Sequence, residues 1–441
     1  MRHFDVIVIG GGILGCFTAR NLRRWNVSVC LLEKEGDVCT GITRANSAVV
    51  YPGYDNKPGS LKAEMTVRGN AKMGDLCQEL DVPFSRCGSL LVTYDADSVP
   101  KLERKFWNGI ENGVPGLKRL TGPEAEAMEP MLKPGVAAAL YAPSTGTVNP
   151  WQLGIAAYEN ALQNGAEAAM NAEVTAITKT EGGFLVETRD ETYACKMVFN
   201  CAGLYADRIQ ELACEPNVRL NLDGAEYLVL DDAVEKPSRV IFHQAVSCGK
   251  GITAIPCVEG NLLLSGVRKP LDVPFGTTSE GIRELRDAAR ELLPELDTTQ
   301  VIRSFGAVRP NPYCETGESI HDFCIDNAAP GFYSLIGIKT PGLTCANELG
   351  LHLAKKVETY LNPGKNENFD PVRRVKVPED YEIVCQCQSI TRGQILDAIA
   401  RGATTVDGVK RRVGAGMGRC QGMRCRREIE KMLEDAKHGK L

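Results

Sequence analysis

The sequence predicts an α/β protein with a doubly wound, nucleotide-binding first part and a small separate module at its C-terminal end. Three observations lead to this prediction. A glycine-rich turn at residues 10–15 follows an apolar run at residues 5–9. The chain has 441 residues, more than one compact core holds, so two or three domains are expected. A C-x-C pair and a C-x4-C pair of cysteines occur at residues 385–387 and 420–425.

The first elements are a strand over residues 5–9, a helix over 16–24 and a second strand over 27–33 that ends in Glu33. The continuous apolar run of the first strand is typical of a strand buried on both faces. A G-x-G-x-x-G motif between a strand and a helix, followed by an acid at this distance, predicts dinucleotide binding.

Each residue of this motif has a physical role. Gly10 permits the tight turn, Gly12 lets a pyrophosphate approach the backbone, and Gly15 allows the helix to pack closely on the strand. Glu33 can accept hydrogen bonds from both ribose hydroxyls and repels a 2′-phosphate, which argues against NADP.

Later segments favour FAD over NAD as the nucleotide. A polar loop at residues 40–47 suits a second contact with a pyrophosphate, a buried strand at 197–203 ends in Ala-Gly, and a strand at 333–337 leads into the turn 337–344. The chain thus returns three times to one large ligand. FAD is long and largely buried, and it needs that many contacts.

The order of these motifs resembles the FAD-dependent D-amino-acid oxidase superfamily over about residues 3–360. The motifs are G-x-G-x-x-G…E, T-x-x-N-S at 43–47, V-x-N-x-A-G at 198–203 and G-I-x-x-P-G-L-T at 337–344. The resemblance implies a doubly wound FAD-binding domain interleaved with an antiparallel substrate-binding sheet. The FAD-binding domain would comprise residues 1–85, 142–220 and 301–361, and the substrate-binding domain residues 86–141 and 221–300.

The same resemblance implies the residues that contact FAD. They are Gly10, Gly12, Gly15, Glu33, Thr43, Asn46, Ser47, Val174, Ala202, Gly203, Gly337, Lys339, Thr340, Gly342, Leu343 and Thr344. The K-P-G-S-L-K segment at 57–62 is similar to the branch of L-2-hydroxyglutarate and glycerol-3-phosphate dehydrogenases. Its own expected role is that of a packing loop.

Candidate catalytic residues follow from the need to hold an anionic substrate over the flavin. Arg309 belongs to an arginine–proline pair that reaches the substrate anion in the resembling enzymes, and Arg binds carboxylate or phosphate bidentately. Lys339 lies in a turn where the resemblance places a cation near flavin and phosphate. Tyr51 stands where related enzymes often have His. Tyr51 therefore either hydrogen-bonds the substrate only, or the base lies elsewhere, with His243 as the alternative.

The C-terminal cysteines Cys385, Cys387, Cys420 and Cys425 supply four thiolates, the number that a tetrahedral zinc or a [2Fe–2S] cluster requires. Their spacing fits neither zinc ribbons nor the common ferredoxins. Together with the glycine-rich approach to Cys420, it resembles the bacterioferritin-associated-ferredoxin type of [2Fe–2S] domain. Residues 381–441 would form this domain after a linker at 362–380. Ser389 or Thr391 would cap a first helix that runs to Ala400, and two further helices are expected over 405–412 and 426–436.

Charge and composition bear on partners and location. Residues 401–441 carry 11 Lys and Arg against 5 Asp and Glu, while the whole chain has a net charge of −5. This basic region lacks interleaved aromatic residues, so it favours balancing an anionic cluster or docking an acidic partner over binding nucleic acid. Without a secretory signal or an apolar run that spans a membrane, the expected location is cytoplasmic, or peripheral at the inner membrane through a partner.

These features together predict an FAD/[2Fe–2S] dehydrogenase subunit. Its substrate is expected to be a small anionic alcohol, first of all sn-glycerol 3-phosphate, and its electrons are expected to reach a partner redox subunit or a quinone-linked acceptor within a hetero-oligomer. The alternatives are a 2-hydroxy-acid or amino-acid dehydrogenase, and an electron-transfer subunit without a substrate of its own.

Overall fold

The computed structural model describes residues 1–215, 217–244, 251–270 and 274–440. In chain order the strands are β1 (Arg2–Ile9), β2 (Val29–Leu32), β3 (Val49–Val50), β4 (Phe84–Ser85), β5 (Ser89–Thr93), β6 (Lys118–Thr121), β7 (Ala138–Ala142), β8 (Gly146–Val148), β9 (Glu167–Ala169), β10 (Val174–Thr180), β11 (Gly183–Thr188), β12 (Thr192–Asn200), β13 (Val218–Leu230), β14 (Val240–His243), β15 (Thr253–Pro256), β16 (Leu262–Pro270), β17 (Val301–Cys314), β18 (Cys324–Ala329), β19 (Phe332–Ile336), β20 (Ile383–Cys385) and β21 (Ile390–Thr391).

The helices are α1 (Ile13–Leu22), α2 (Leu61–Leu80), α3 (Val99–Glu111), α4 (Gly122–Met128), α5 (Pro150–Gln163), α6 (Ala206–Glu211), α7 (Ser279–Leu292), α8 (Gly342–Leu361), α9 (Arg392–Ala400), α10 (Val406–Val413) and α11 (Arg426–Lys437). No helix in the described ranges is both long and apolar enough to cross a membrane.

The first sheet has a parallel centre of β9, β2, β1, β12 and β19, to which β10 and β11 add an antiparallel edge. Strand β1 is buried on both faces, as its apolar run predicts. Val6 and Val8 belong to the core beneath α1 and α5, whereas Ile7 and Ile9 pack with side chains from β10 and β11. The predicted α/β fold is confirmed, although strands as well as helices cover its second face.

The second sheet has the order β17-β13-β16-β15-β14-β5-β7-β6. It is antiparallel except where β14 runs parallel to β5. One face packs against α4 and α7, and the other carries aromatic and aliphatic side chains that contact Tyr51 of the first domain. Strand β17 pairs with β13 along its length, so this sheet extends beyond the predicted boundary at residue 300. Residues 245–250 and 271–273 of the predicted substrate-binding domain lie outside the described residues.

The K-P-G-S-L-K segment forms the start of α2. Ser60 caps the helix by accepting a hydrogen bond from the backbone of Ala63. The backbone N–H groups of Leu61 and Lys62 donate to the carboxylate of Asp322 at 2.9 and 2.8 Å. A carboxylate at a helix N-terminus is stabilised by the free N–H groups and the helix dipole, so the segment packs a loop near β18 against α2.

The C-terminal module folds as three short helices around its own apolar core, which contains Ile395, Val409 and Ile429. The three predicted helices of the module are confirmed. Thr391 caps α9 in a reciprocal arrangement with Gln394, and Thr405 caps α10 by accepting from Gly408. These Thr residues satisfy backbone N–H groups that the first helical turn leaves without a partner.

The predicted linker is a strap fastened to the first domain. It contains neither helix nor strand, yet its backbone contacts α1, α2 and α5. Arg20, whose side chain is fully buried, donates to the carbonyl of Pro371 at 3.0 Å and to Glu79 at 2.8 Å. Asn164 exchanges hydrogen bonds with the backbone of Asp370. The strap therefore delivers the module to one place on the first domain.

Two buried carboxylates hold the module against the first domain. Asp37, in the loop after β2, binds Arg411 and Arg412 at 2.8 Å each. Glu159 of α5 lies 2.6 Å from Arg401 and 3.2 Å from Arg373 of the strap. Burial alone would raise the pKa of Asp37, but the two guanidinium groups outweigh it and hold this pKa below its ordinary value. Asp37 is consequently ionised in the docked protein at neutral pH.

We expect Asp37→Ala to lower the free energy of unfolding of the module by about 3 kcal/mol, because two buried guanidinium groups lose their carboxylate. Glu64→Ala is the control, since Glu64 forms an exposed pair with Arg68 and removing such a pair costs about 0.5 kcal/mol or less. Hydrogen exchange of the amides of the module, measured as a function of denaturant concentration, gives the free energy of unfolding of both variants. Equal small effects would contradict the role of Asp37.

The pH dependence of this stabilisation has a definite sign. A carboxyl whose pKa is lowered by folding stabilises fully above its unfolded-chain pKa of about 3.9, and this contribution is lost as the pH falls through the lower folded-state value. The stability gap between the wild type and Asp37→Asn should therefore stay constant from neutral pH to about pH 4 and narrow only below it.

Candidate active site

A cavity of about 700 Å³ lies where the two sheets meet. Residues from the glycine-rich turn and from each later predicted FAD segment line it together with side chains from the second sheet. The predicted FAD residues on its wall are Gly10, Gly12, Glu33, Thr43, Asn46, Ser47, Val174, Ala202, Gly203, Lys339, Thr340, Gly342 and Leu343. The structure thus brings together segments that are more than 300 residues apart in the chain.

Three predicted FAD residues do not line the cavity and act behind its wall. A Cβ on Gly15 would overlap the carbonyl oxygen of Gly10, so Gly15 permits the helix–strand packing. Gly337 has φ +65°, and a Cβ there would overlap the ring of Pro312. The hydroxyl of Thr344 accepts a hydrogen bond from the backbone of Tyr51 at 2.9 Å and so positions that residue.

The nucleotide end of the cavity fits a dinucleotide. Helix α1 begins after Gly12, which has no side chain to cap the helix, and the first turn contains no acid that would repel a pyrophosphate. The backbone N–H of Ile13 donates to Thr43 Oγ1 at 3.0 Å, so Thr43 lies at this N-terminus as well. A Cβ on Gly12 would meet no atom closer than Thr43 Oγ1 at 3.6 Å, so the space in front of this glycine is open. Glu33 is buried, which raises its pKa, and it accepts hydrogen bonds from the backbone of Gly11 and Glu35.

The other part of the cavity carries the substrate candidates. Arg309 of β17 and Lys339 of the turn before α8 both line the wall. The Lys339 ammonium donates to Asn311 Oδ1 at 3.2 Å, and the Asn311 amide donates to Asp223 at 2.9 Å. Asp223 is also the strand partner of Arg309 across β13 and β17. A chain of hydrogen bonds therefore links Lys339 through Asn311 to Asp223, the residue that lies opposite Arg309 in the sheet.

Tyr51 lies on the same wall. Its hydroxyl is 3.2 Å from that of Ser47, and its ring stacks on Phe242 with centroids 6.1 Å apart. Tyr227, which also lines the cavity, stacks on Phe305 at 4.8 Å, and burial raises its pKa to about 12. Tyr51 and Tyr227 thus add aromatic side chains to the wall that also carries Arg309 and Lys339.

His243 does not join the cavity. Because side chains alternate along a strand, its neighbour Phe242 faces the cavity while His243 lies on the opposite side of β14. There the imidazole makes an edge contact with Tyr94, and burial lowers its pKa. This placement argues against His243 as the base.

Three residues of the polar site, Asn311, Asp223 and Tyr227, are not among the residues predicted from the sequence. Asn311 carries a usable signal, since it lies two residues after Arg309 and so shares its face of the strand. Asp223 and Tyr227 are on β13, and only the pairing of β13 with β17 brings them to the site. No local motif marks that pairing.

The four C-terminal cysteines form two contacting pairs, Cys385 with Cys425 and Cys387 with Cys420. Cys385 and Cys425 are each 1% exposed, whereas Cys387 and Cys420 are partly exposed. Backbone N–H groups, that of Arg424 foremost, lower the pKa of the Cys420 thiol, and Gly416 donates to Cys385 at 3.4 Å. Within the described ranges no three metal-binding side chains converge as a single-ion site would need.

This cysteine arrangement fits a centre with two irons, each held by two thiolates. A [2Fe–2S] cluster has that composition, and backbone N–H groups aimed at sulfur help to set its potential. A tetrahedral zinc site would instead need all four sulfurs around one point. The geometry therefore favours the iron–sulfur alternative.

Comparison with known proteins places the two parts of the chain. Residues 5–356 match the family described as FAD dependent oxidoreductase, and residues 383–435 match the BFD-like [2Fe-2S] binding domain. The chain is 38% identical to the glycerol 3-phosphate dehydrogenase of Caloramator mitchellensis, with 98% of this chain and 94% of that protein covered. It is 33% identical to the mitochondrial L-2-hydroxyglutarate dehydrogenase of Homo sapiens over 52% of each.

Among solved structures, the chain is similar to the L-alpha-glycerophosphate oxidase of Mycoplasma pneumoniae with FAD bound. The TM-score is 0.77 at 26% identity, with 84% of this chain and 98% of that chain covered. The expected cofactors, FAD and a [2Fe–2S] cluster, agree with both family matches.

We expect Gly12→Ala to weaken FAD binding by about 2 kcal/mol, or roughly thirtyfold, because the new methyl group occupies the open space in front of α1 without disturbing the protein. Gly15→Ala should instead destabilise the protein itself and lower the melting temperature of the apoprotein, since the new Cβ would overlap the carbonyl oxygen of Gly10. Flavin content after gel filtration and thermal unfolding of the apoprotein measure the two effects. A Gly12→Ala protein with full FAD content would contradict this assignment.

Proposed function

The chain belongs to the FAD-dependent oxidoreductase family, and from this premise we propose that it oxidises sn-glycerol 3-phosphate to dihydroxyacetone phosphate. The observation that carries the proposal is that Arg309 and Lys339 stand on the wall of the cavity that the nucleotide loop also lines. The similarity to a glycerol 3-phosphate dehydrogenase along nearly the whole chain supports the same substrate.

Two cations suit a phosphate better than a single carboxylate. A phosphate monoester carries a charge of about −1.5 to −2 at neutral pH, which an arginine and a lysine together balance. Arg309 can hold two oxygens with its planar fork, and Lys339 supplies a compact point charge. Asn311 keeps the Lys339 ammonium in place through their hydrogen bond.

Tyr51 is proposed to orient the substrate hydroxyl. With an ordinary pKa of about 10, a phenol at neutral pH donates or accepts a hydrogen bond and does not take up a proton. Stacking on Phe242 and the backbone bond to Thr344 keep its ring in one position. When bound, FAD supplies the acceptor for the hydride that leaves the substrate carbon. The second sheet places aromatic and aliphatic side chains beside this part of the cavity.

The C-terminal module is proposed to carry electrons away from the site. Cys385, Cys387, Cys420 and Cys425 are the proposed ligands, and a bound [2Fe–2S] cluster supplies a carrier of single electrons. The acceptor would be a partner redox subunit or a quinone-linked protein in a hetero-oligomer.

A 2-hydroxy acid is the second candidate substrate. The similarity to L-2-hydroxyglutarate dehydrogenases supports it, as does the ability of Arg309 to bind a carboxylate through two parallel hydrogen bonds. Under this alternative Lys339 would have no second negative charge of the same group to balance.

Anaerobic mixing with substrates tests the proposal. Glycerol 3-phosphate should bleach the flavin absorbance, and L-2-hydroxyglutarate and amino acids should not. Arg309→Ala should weaken the apparent binding of glycerol 3-phosphate by about 2 kcal/mol, roughly thirtyfold, with FAD content unchanged, because a charge-assisted fork is lost. Arg309→Lys should recover part of the affinity.

Each outcome of these titrations has a distinct meaning. Bleaching by L-2-hydroxyglutarate alone would replace the proposed substrate by the second candidate. Silence toward all small substrates would favour an electron-transfer subunit. An unchanged affinity in Arg309→Ala would remove Arg309 from the site.

Cys420→Ser should preserve bleaching by substrate and slow the return of electrons to a one-electron acceptor, because a serine is a poor ligand for the cluster. Cys214→Ser is the matched control, since Cys214 is half-buried and lies outside the module. Iron and acid-labile sulfide content, with EPR of the reduced protein, provide the direct readout. Zinc in place of iron in the wild type, or loss of bleaching in a folded Cys420→Ser protein, would contradict the scheme.

A further inference from the structure

The loop between Cys420 and Cys425 presents an apolar side chain to solvent. Met423 is 89% exposed, more than any other large apolar side chain among the described residues. Its orientation follows from the backbone around it. Gln421 has φ +49° and turns inward to donate to the carbonyls of Met417 and Gly418. The N–H groups of Gly422, Met423 and Arg424 point at the Cys420 sulfur.

An ordered loop that exposes a methionine is a suitable contact surface. The hydrogen bonds at Cys420 hold the backbone of this loop before any partner arrives, so little conformational entropy is lost on binding. Methionine is flexible and polarizable, and it is common at surfaces that bind other proteins. An exposed methionine side chain contributes no burial free energy to folding, whereas it would do so to binding when a partner covers it.

The two cysteine pairs differ in the direction they face. Cys425 lines a small cavity together with Glu35 and Thr40, which also belong to the wall of the large cavity. Cys387 and Cys420 are instead partly exposed, and Cys420 begins the Met423 loop. The buried pair is thus turned toward the first domain and the exposed pair toward solvent.

Positive charge surrounds Met423. Residues 419–427 contain four arginines and no acid. Arg419 is paired with Asp231 and Arg426 with Glu430. Arg424 donates to the uncharged Gln386 at 3.3 Å, and Arg427 forms no ion pair with any described residue. Arg426 and Arg427 also occupy the first turn of α11, where the helix dipole disfavours cations.

We propose that this surface, formed by Met423, Arg424 and Arg427 and called the Met423 surface below, is the docking site for an acidic protein that accepts single electrons. This inference rests on the proposed function, because it names the surface through which the module would deliver its electrons. Met423 is the apolar contact at the centre, and the two arginines attract a rim of acidic side chains. The exposed thiol pair lies at this surface.

The charge pattern favours a protein over a membrane as the occupant. Helix α11 is amphipathic, but its apolar residues Ile429 and Met432 are buried in the core of the module. A surface helix that binds a bilayer needs a free apolar face to insert. Met423 alone is too small an apolar group for that purpose, yet it suffices as the centre of a protein contact with a charged rim.

The electron count is balanced by two encounters for each substrate molecule. Oxidation of an alcohol to a ketone releases two electrons and two protons, and the protons pass to the solvent. Each encounter at the Met423 surface oxidises the reduced cluster by one electron and reduces one acceptor protein by one. Two acceptor molecules are therefore reduced for each substrate molecule oxidised.

Calorimetric titration of the oxidised holoprotein with a plant-type ferredoxin, an acidic electron carrier, tests the proposal. The wild type should bind, and the affinity should fall as ionic strength rises. Met423→Asp and Arg424→Ala should each weaken binding about tenfold. Met423→Leu should retain it. Arg189→Ala is the matched control, since Arg189 is an exposed arginine on the distant β11–β12 turn.

Iron, sulfide and the visible spectrum should be unchanged in all four variants, which separates docking from support of the cluster. A Met423 effect also distinguishes docking from charge balance, because methionine carries no charge. Absence of ferredoxin binding by the wild type, or equal weakening by Arg189→Ala, would overturn the proposal. Met423-dependent capture by vesicles that contain phosphatidylglycerol, without ferredoxin binding, would replace it by membrane docking.

Flavin bleaching by glycerol 3-phosphate is measured on the same proteins. Loss of bleaching in the wild type would end the proposed function and leave the ferredoxin result intact. Normal bleaching without ferredoxin binding would end only the docking proposal.

Discussion

The docked structure depends on two buried carboxylates that hold the C-terminal module to the nucleotide-binding domain. Asp37 and Glu159 are almost fully enclosed, and arginines of the module and the strap surround them. Such charges are tolerable inside a protein only when each is paired. The module can therefore bind the first domain only in the position that pairs these carboxylates with their arginines. Asp37 lies four residues after Glu33, and the same loop therefore lines the large cavity and contacts the module.

The active-site cavity arises from the meeting of two sheets with different tasks. The parallel sheet supplies backbone at its strand ends, where glycines and helix N-termini leave room for phosphates. The second sheet supplies side chains, because its long strands β13 and β17 present arginine, asparagine and aromatic residues on one face. Neither sheet alone could hold both a dinucleotide and an anionic substrate.

The two thiol pairs of the C-terminal module differ in what they face. Its buried thiol pair lies on the side of the first domain, and its exposed pair lies on the side of the solvent, next to an ordered loop rich in arginine. Cys385 and Cys425 are buried in the apolar core of the module itself, and Cys425 also lines the small cavity between the module and the first domain. A module with one thiol pair near the first domain and the other near solvent suits the proposed transfer of electrons from the active site to another molecule.

The amino-acid sequence by itself determined every feature that depends on neighbours in the chain. The strand–glycine–helix turn, the caps at Thr391 and Thr405 and the helices of the module are local, because hydrogen bonds and periodicity within a few residues decide them. The tertiary structure decided what depends on distant partners: the hydrogen bonds from Lys339 through Asn311 to Asp223, the position of His243 on the side of β14 away from the cavity, the assignment of β17 to the second sheet and the contacts of the strap with the first domain. Asp37 and Arg412 are 375 residues apart, and no local pattern records their pairing. Strand register and buried charge pairing are properties of the folded whole, which is why they could not be read from the chain alone.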